Sequence, residues 1–118
     1  MESFDYFDLV RKQDVAILRT QAAEIRQPQA AHDFGTEAGG VLNSDKPPRV
    51  LIDLSRTEYL CSTAFATLLN LAKLVDGYGG TMKICGMTPD LLFGANIIGL
   101  GRAVEIHPDE HSALASFS

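Results

Sequence analysis

Two adjacent hydroxyl residues, Ser62 and Thr63, stand where a loop runs into the strongest apolar-periodic segment of the chain. A helix start at that point offers unpaired backbone N–H groups and partial positive charge, so it tolerates a phosphate on either hydroxyl. The same two residues also suit plain capping, in which a Ser or Thr oxygen accepts a bond from an orphan N–H, worth about 1 kcal/mol. Tyr59, Leu60, Cys61, Ala64 and Phe65 flank the pair and are apolar enough to contact another protein. Elsewhere the chemistry thins out. His107 and His111 lie close in sequence, but Pro108 and a helix start separate them, so they do not share a helical face as zinc ligands would. Gly77-Tyr78-Gly79-Gly80 precedes a strand instead of following one, and Gly99-Leu100-Gly101 lies between a helix and a strand. Both read as helix ends and neither as a phosphate loop. His32 has no carboxylate or nucleophile near it in sequence. Cys61, whose place beside a helix start raises the idea of a thiol enzyme, lacks a nearby resolving cysteine and a general base. No catalytic residue, metal or cofactor is expected.

The elements that must position Ser62 and Thr63 follow from pattern. Tyr6–Val10 and Val15–Arg19 read as strands joined by the polar stretch 11–14, an antiparallel hairpin. Pro28 opens a helix carrying Ala31, Phe34, Ala38, Val41 and Leu42, with Gly35, Gly39 and Gly40 expected to bend, fray or shorten it, and a polar loop from Asn43 to Pro48. Val50–Leu54 is an apolar run broken by Asp53, the pattern of a central strand covered on both faces. From Ser62 the residues Phe65, Leu68, Leu69, Ala72 and Val75 make an inward stripe. Thr81–Cys85 is a strand, and Thr88-Pro89-Asp90 opens a helix through Leu91, Leu92, Ala95 and Ile98. Ala103–Ile106 is a last strand, and Pro108-Asp109-Glu110 opens a last helix bearing Ala113, Leu114 and Phe117. Alternating strands and helices predict an α/β fold: one domain over 1–118, about five strands in a mostly parallel sheet with the hairpin at its start, and about four helices.

Composition agrees and excludes several classes. The 118 residues are 46% hydrophobic and 21% charged, the balance of a globular domain. A net charge of −5 with no basic stripe argues against nucleic acid as a ligand. No apolar run approaches a membrane span and the acidic start lacks a signal-peptide pattern, which points to the cytoplasm. Cys61 and Cys85 are expected as reduced, unpaired thiols.

Taken together, Val50–Leu54, the Ser62-Thr63 helix start, Gly79-Gly80 before a strand and Ile98-Gly99-Leu100 before the last strand resemble STAS domains of the anti-sigma factor antagonist type. The likeness runs from about Phe4 to Phe117 and is strongest between Val50 and Ile106. It implies a non-enzymatic partner-switching module that binds an anti-sigma factor with serine/threonine kinase activity. The second hydroxyl of the pair, here Thr63, would be the phosphoacceptor, with Ser62 its neighbour. Two positions depart from the family pattern: Cys61 stands where Asp is usual, removing a charge, and Ala64 where Gly is usual, adding a methyl. These departures favour the alternative role of a structural STAS subunit in a larger assembly, such as a stressosome-like scaffold or a lipid-transport complex. A homo-oligomer fits that alternative.

Overall fold

A computed structural model, described over residues 1–117, begins with a short strand β1 (Glu2–Ser3) that pairs antiparallel with β2 (Phe7–Lys12). β2 turns tightly into β3 (Val15–Thr20), in a register that sets Phe7 opposite Thr20 and Lys12 opposite Val15. The turn is Gln13-Asp14 alone, both left-handed at φ 54° and 64°. Two left-handed residues match the twist of the flanking strands, so Arg11 and Lys12 continue β2 and do not join the link expected at 11–14.

After a two-residue strand β4 (Glu24–Ile25), helix α1 runs unbroken from Pro28 to Asp45, with Pro28 in the first turn. The predicted fraying is absent and the loop expected from Asn43 begins at Lys46, which is left-handed at the C-cap (φ 45°). One of the glycines answers to packing: a Cβ built on Gly35 would lie 2.9 Å from the Thr67 methyl. Gly35 lets α1 and the helix that carries Thr67 approach closely, and α1 tolerates its glycines because its inner face buries Ala31, Phe34, Ala38 and Leu42.

Strand β5 (Arg49–Asp53), a second two-residue strand β6 (Tyr59–Leu60), α2 (Ser62–Gly77), β7 (Thr81–Cys85), α3 (Pro89–Ile98), β8 (Glu105–His107) and α4 (Glu110–Ser116) complete the order. The main sheet runs β1-β2-β3-β5-β7-β8, parallel from β3 onward, with β4 and β6 paired separately. It therefore has six strands, β1 being one more than the sequence suggested. β8 is displaced from the expected 103–106 because Leu100–Arg102 first close a 3-10 turn.

Crossovers of one hand, advancing one way along a sheet, place their helices on one face. α1, α2 and α3 accordingly share the front, where Phe34, Leu68, Leu91 and Ala95 pack on Leu18, Val50, Ile52 and Ile84. Strand alternation sends Val15, Ile17, Leu51 and Cys85 to the back, under Ala113 of α4. Leu69, expected inward, sits at the margin of the α2 stripe and is half-buried, whereas Leu71 and Ala64 lie inside.

Candidate functional site

The two-residue strands matter because they fix where α2 begins. β4 and β6 pair in parallel, with Ile25 beside Leu60, and the Cys61 N–H donates to the Ile25 carbonyl at 2.9 Å. Cys61 is thereby held extended, at φ −72° and ψ 167°, and its carbonyl accepts from the N–H groups of Ala64 (3.0 Å) and Phe65 (3.2 Å). It is the N-cap, although its side chain makes no cap bond. Ser62 and Thr63 are consequently the first two helical residues and not caps. Both are exposed, and among the described residues neither side chain has a hydrogen-bond partner. Their backbone N–H groups belong to the first turn, which has no intrahelical acceptor to offer them.

The flanking residues divide. Tyr59 is 42% exposed, with the Arg26 guanidinium 4.5 Å over its ring. Cys61 is partly exposed and carries a free thiol. Leu60, Ala64 and Phe65 do not offer their side chains to a partner: all three are buried in the front core. The inner stripe of α2 starts at Ala64-Phe65, and the Phe65 ring lies against α3, where a Cβ on Gly94 would sit 2.9 Å from it. The Ala64 methyl therefore points away from the hydroxyl pair.

An apolar surface stands nearby, on an element from which it was not expected. α3 packs beside β6 and the start of α2, buries only Leu91 and Ala95, and leaves Phe93 69% and Ile97 70% exposed. Leu92 and Ile98 are exposed as well. The signal was present in the sequence: six of the ten residues of α3, PDLLFGANII, are large or small apolar side chains distributed all round the helix, more than one face can bury.

The other candidates stay apart from this site. His107 Nε2 meets Glu105 Oε1 at 3.0 Å, and Asp109 accepts from the Ser112 N–H at 2.8 Å as the cap of α4. Among the described residues no three His, Cys, Asp or Glu side chains gather as a metal cluster, and no helix is long and apolar enough to cross a membrane. Cys85 is buried, and burial, with Asp53 and Glu110 adding to it, pushes its thiol far up from the usual range. His32 is exposed on α1, and Gly99 ends α3 left-handed at φ 74°.

These features define a class: an α/β fold with three helices in front of its sheet and one behind, in which the helix after β6 carries two free hydroxyls in its first turn. The STAS domain family matches residues 6–113, and the chain belongs to that family. Among solved structures, the chain is similar to an anti-sigma factor antagonist from Mycobacterium paratuberculosis, at 22% identity over 93% of this chain and 91% of that one, with a TM-score of 0.81. A STAS domain protein from Planctomyces limnophilus, named an anti-sigma-factor antagonist, aligns at 16% identity over 93% and 96%, with a TM-score of 0.82. A sulfate transporter family protein from Wolinella succinogenes aligns at 17% identity over 91% and 87%, with a TM-score of 0.74. At these identities the likeness is one of fold.

Proposed function

We propose that the chain is an anti-sigma factor antagonist that docks the α2–α3 surface on an anti-sigma factor with serine/threonine kinase activity. Phosphorylation of Thr63, with Ser62 as its neighbour, ends the docking. The observation that carries this reading is that both hydroxyls are exposed and uncommitted on the first turn of a firmly packed helix, next to the bare apolar face of α3. Covering apolar surface such as Phe93 and Ile97 stabilises a complex by about 25 cal/mol per Å². A phosphate inside that contact adds about 1.5 to 2 negative charges, and a penalty of even about 3 kcal/mol lowers affinity more than about 100-fold. Such a contact needs no catalytic residue, and the reading places the protein in a bacterial cytoplasm as a regulator of transcription acting as one domain. The added methyl of Ala64 does not obstruct it, since that side chain is buried.

The second reading, a STAS subunit kept for binding within a larger assembly, is favoured by one observation. Cys61 occupies the N-cap without capping, so the acid usual beside the acceptor is missing. Affinity for the anti-sigma factor kinase of the same cell separates the two. Thr63→Ala should bind as wild type and ignore ATP, and Thr63→Glu should lose at least about 100-fold in affinity. If Thr63→Glu binds unchanged, and kinase with ATP leaves Ser62 and Thr63 unmodified by mass spectrometry, the switch is absent and the binding-only reading stands.

A further inference from the structure

Along α3, Asp90, Phe93 and Ile97 stand three and four residues apart, so they share one stripe of the helix, opposite the buried Leu91 and Ala95. Leu92 and Ile98 open on either side of it, and β6 with the exposed Tyr59 packs alongside. Arg102 closes the far end: its guanidinium carbon lies 3.8 Å from where a Cβ on Gly99, the C-cap of α3, would stand. Asp90 and Arg102 are both exposed, and among the described residues neither is in an ion pair. The face therefore carries an acid at one end, a base at the other, and apolar side chains between.

We propose that this face takes a second copy of the chain, α3 lying antiparallel on α3 across a two-fold axis. A two-fold contact presents the same patch from both sides, so the acidic end of one copy meets the basic end of the other. With the axis at the level of Ala95, midway between Phe93 and Ile97, Phe93 of each copy faces Ile97 of the other. The same axis sets Gly99 level with residue 91 of the second copy, so Arg102, folded back over Gly99, reaches Asp90 there. Each charge also suits its own helix, acid at the N-terminus and base at the C-terminus, and the antiparallel contact sets opposite dipole ends side by side.

Area fits this occupant as well as charge does. Leu92, Phe93, Ile97 and Ile98 are 37%, 69%, 70% and 45% exposed. Together they leave on the order of 400 Å² open, well into the range of the largest, often functional, patch of a monomer. A standard interface covers about 800 Å² per partner, a little over half of it apolar. The patch therefore supplies the apolar centre of one such contact, and Asp90, Asn96 and Arg102 fall on its polar rim. Because α3 meets the first turns of α2 where Gly94 approaches Phe65, a second copy seated there stands in the way of the kinase docking proposed above. Self-association does not rest on that docking but competes with it for one face, so a rising concentration of the chain holds part of it in reserve.

Sedimentation velocity of the chain alone, with reductant to keep the partly exposed Cys61 from bridging copies, tests this. The wild type should pass from monomer to dimer between about 1 and about 300 µM, the weak end of what interfaces of this size reach. Phe93→Ser should weaken the dimer by at least about tenfold, with circular dichroism unchanged. Asp90→Arg and Arg102→Asp each place like charges at both ends of the contact and should be monomeric alone. An equimolar mixture of the two should dimerise again, since across a two-fold axis both ion pairs are then restored. Should a charge variant fail to fold, Phe93→Ser at its exposed position decides. A wild type that stays monomeric, a dimer indifferent to Phe93→Ser, or folded charge variants that do not recover on mixing would overturn the proposal. No kinase enters the measurement, so such a result leaves the docking reading intact, and a chain that dimerises in this way but ignores the kinase overturns only the docking.

Discussion

The two faces of the main sheet are held by different physics. In front, helices of 18, 16 and 10 residues press a continuous apolar core onto the strands. Behind, a helix of 7 residues covers a small patch, with Arg19 at its first residue and Lys83 at its last. Lys83 is buried on β7, and its Nζ donates to the Ser116 carbonyl at 3.0 Å and the Ser116 hydroxyl at 2.8 Å, and lies 4.7 Å over the Phe117 ring. The contrast extends to capping, since α4 has a side-chain cap from Asp109 and α2, over twice as long, has none. A helix with a broad apolar face draws its stability from packing, whereas two turns alone do not hold in water and need each polar anchor.

The strongest test of this contrast is Phe34→Ala, which empties a fully buried site on the front and should cost about 3–5 kcal/mol in a denaturant titration. Leu114→Ala, half-buried at the back, should cost well under half of that. Equal losses would mean that both faces share the load. Next in size, Lys83→Met keeps the buried stem but strips the donor from Ser116, at about 1–3 kcal/mol. The loss should be local, read as faster amide exchange in α4 with α1 unaffected.

Smaller effects probe the front alone. Gly40→Ala meets open space and should stabilise α1 by about 1 kcal/mol, whereas Gly35→Ala puts a Cβ 2.9 Å from the Thr67 methyl and should destabilise. Thermal midpoints shifting the same way in both variants would remove close helix approach as the reason for Gly35. Smallest of all, Cys61→Asp supplies the missing cap and an acid at a helix N-terminus, and should raise stability by about 0.5–1 kcal/mol. A neutral result there would show that β4–β6 pairing already satisfies the start of α2.

What was legible in the sequence was whatever repeats locally. The run Val50–Leu54, the stripe from Phe65 to Val75 and the Thr88-Pro89-Asp90 start each declare their element within a few residues, and the structure has all three. The short strands β1, β4 and β6 carry too few residues for any period to show. The glycines of α1 misled because their propensity is a local cost, offset by the apolar face that the helix buries and, at Gly35, by close approach to Thr67 on another helix. At the site, the hydroxyl pair and its helix start were visible. Whether Leu60 and Phe65 face in or out depends on α3, some thirty residues later in the chain. The Arg19–Glu110 pair was beyond reach for the same reason, since its members lie 91 positions apart.

The strand order has a consequence for how the chain is made. Along the main sheet, β1-β2-β3-β5-β7-β8, each strand after the first lies beside one already synthesised, and no strand waits for a later one. The sheet can thus be laid down in the direction of translation, its front sealed by each crossover helix in turn. Its back stays open until α4 emerges, so Val15, Ile17 and Leu51 face the ribosome exit and its chaperones longest. In chains stalled at increasing length, in a Cys61→Ser background, Cys85 should become protected from a thiol reagent only once α4 has cleared the tunnel. Protection before that point would mean another segment shields the back face during synthesis.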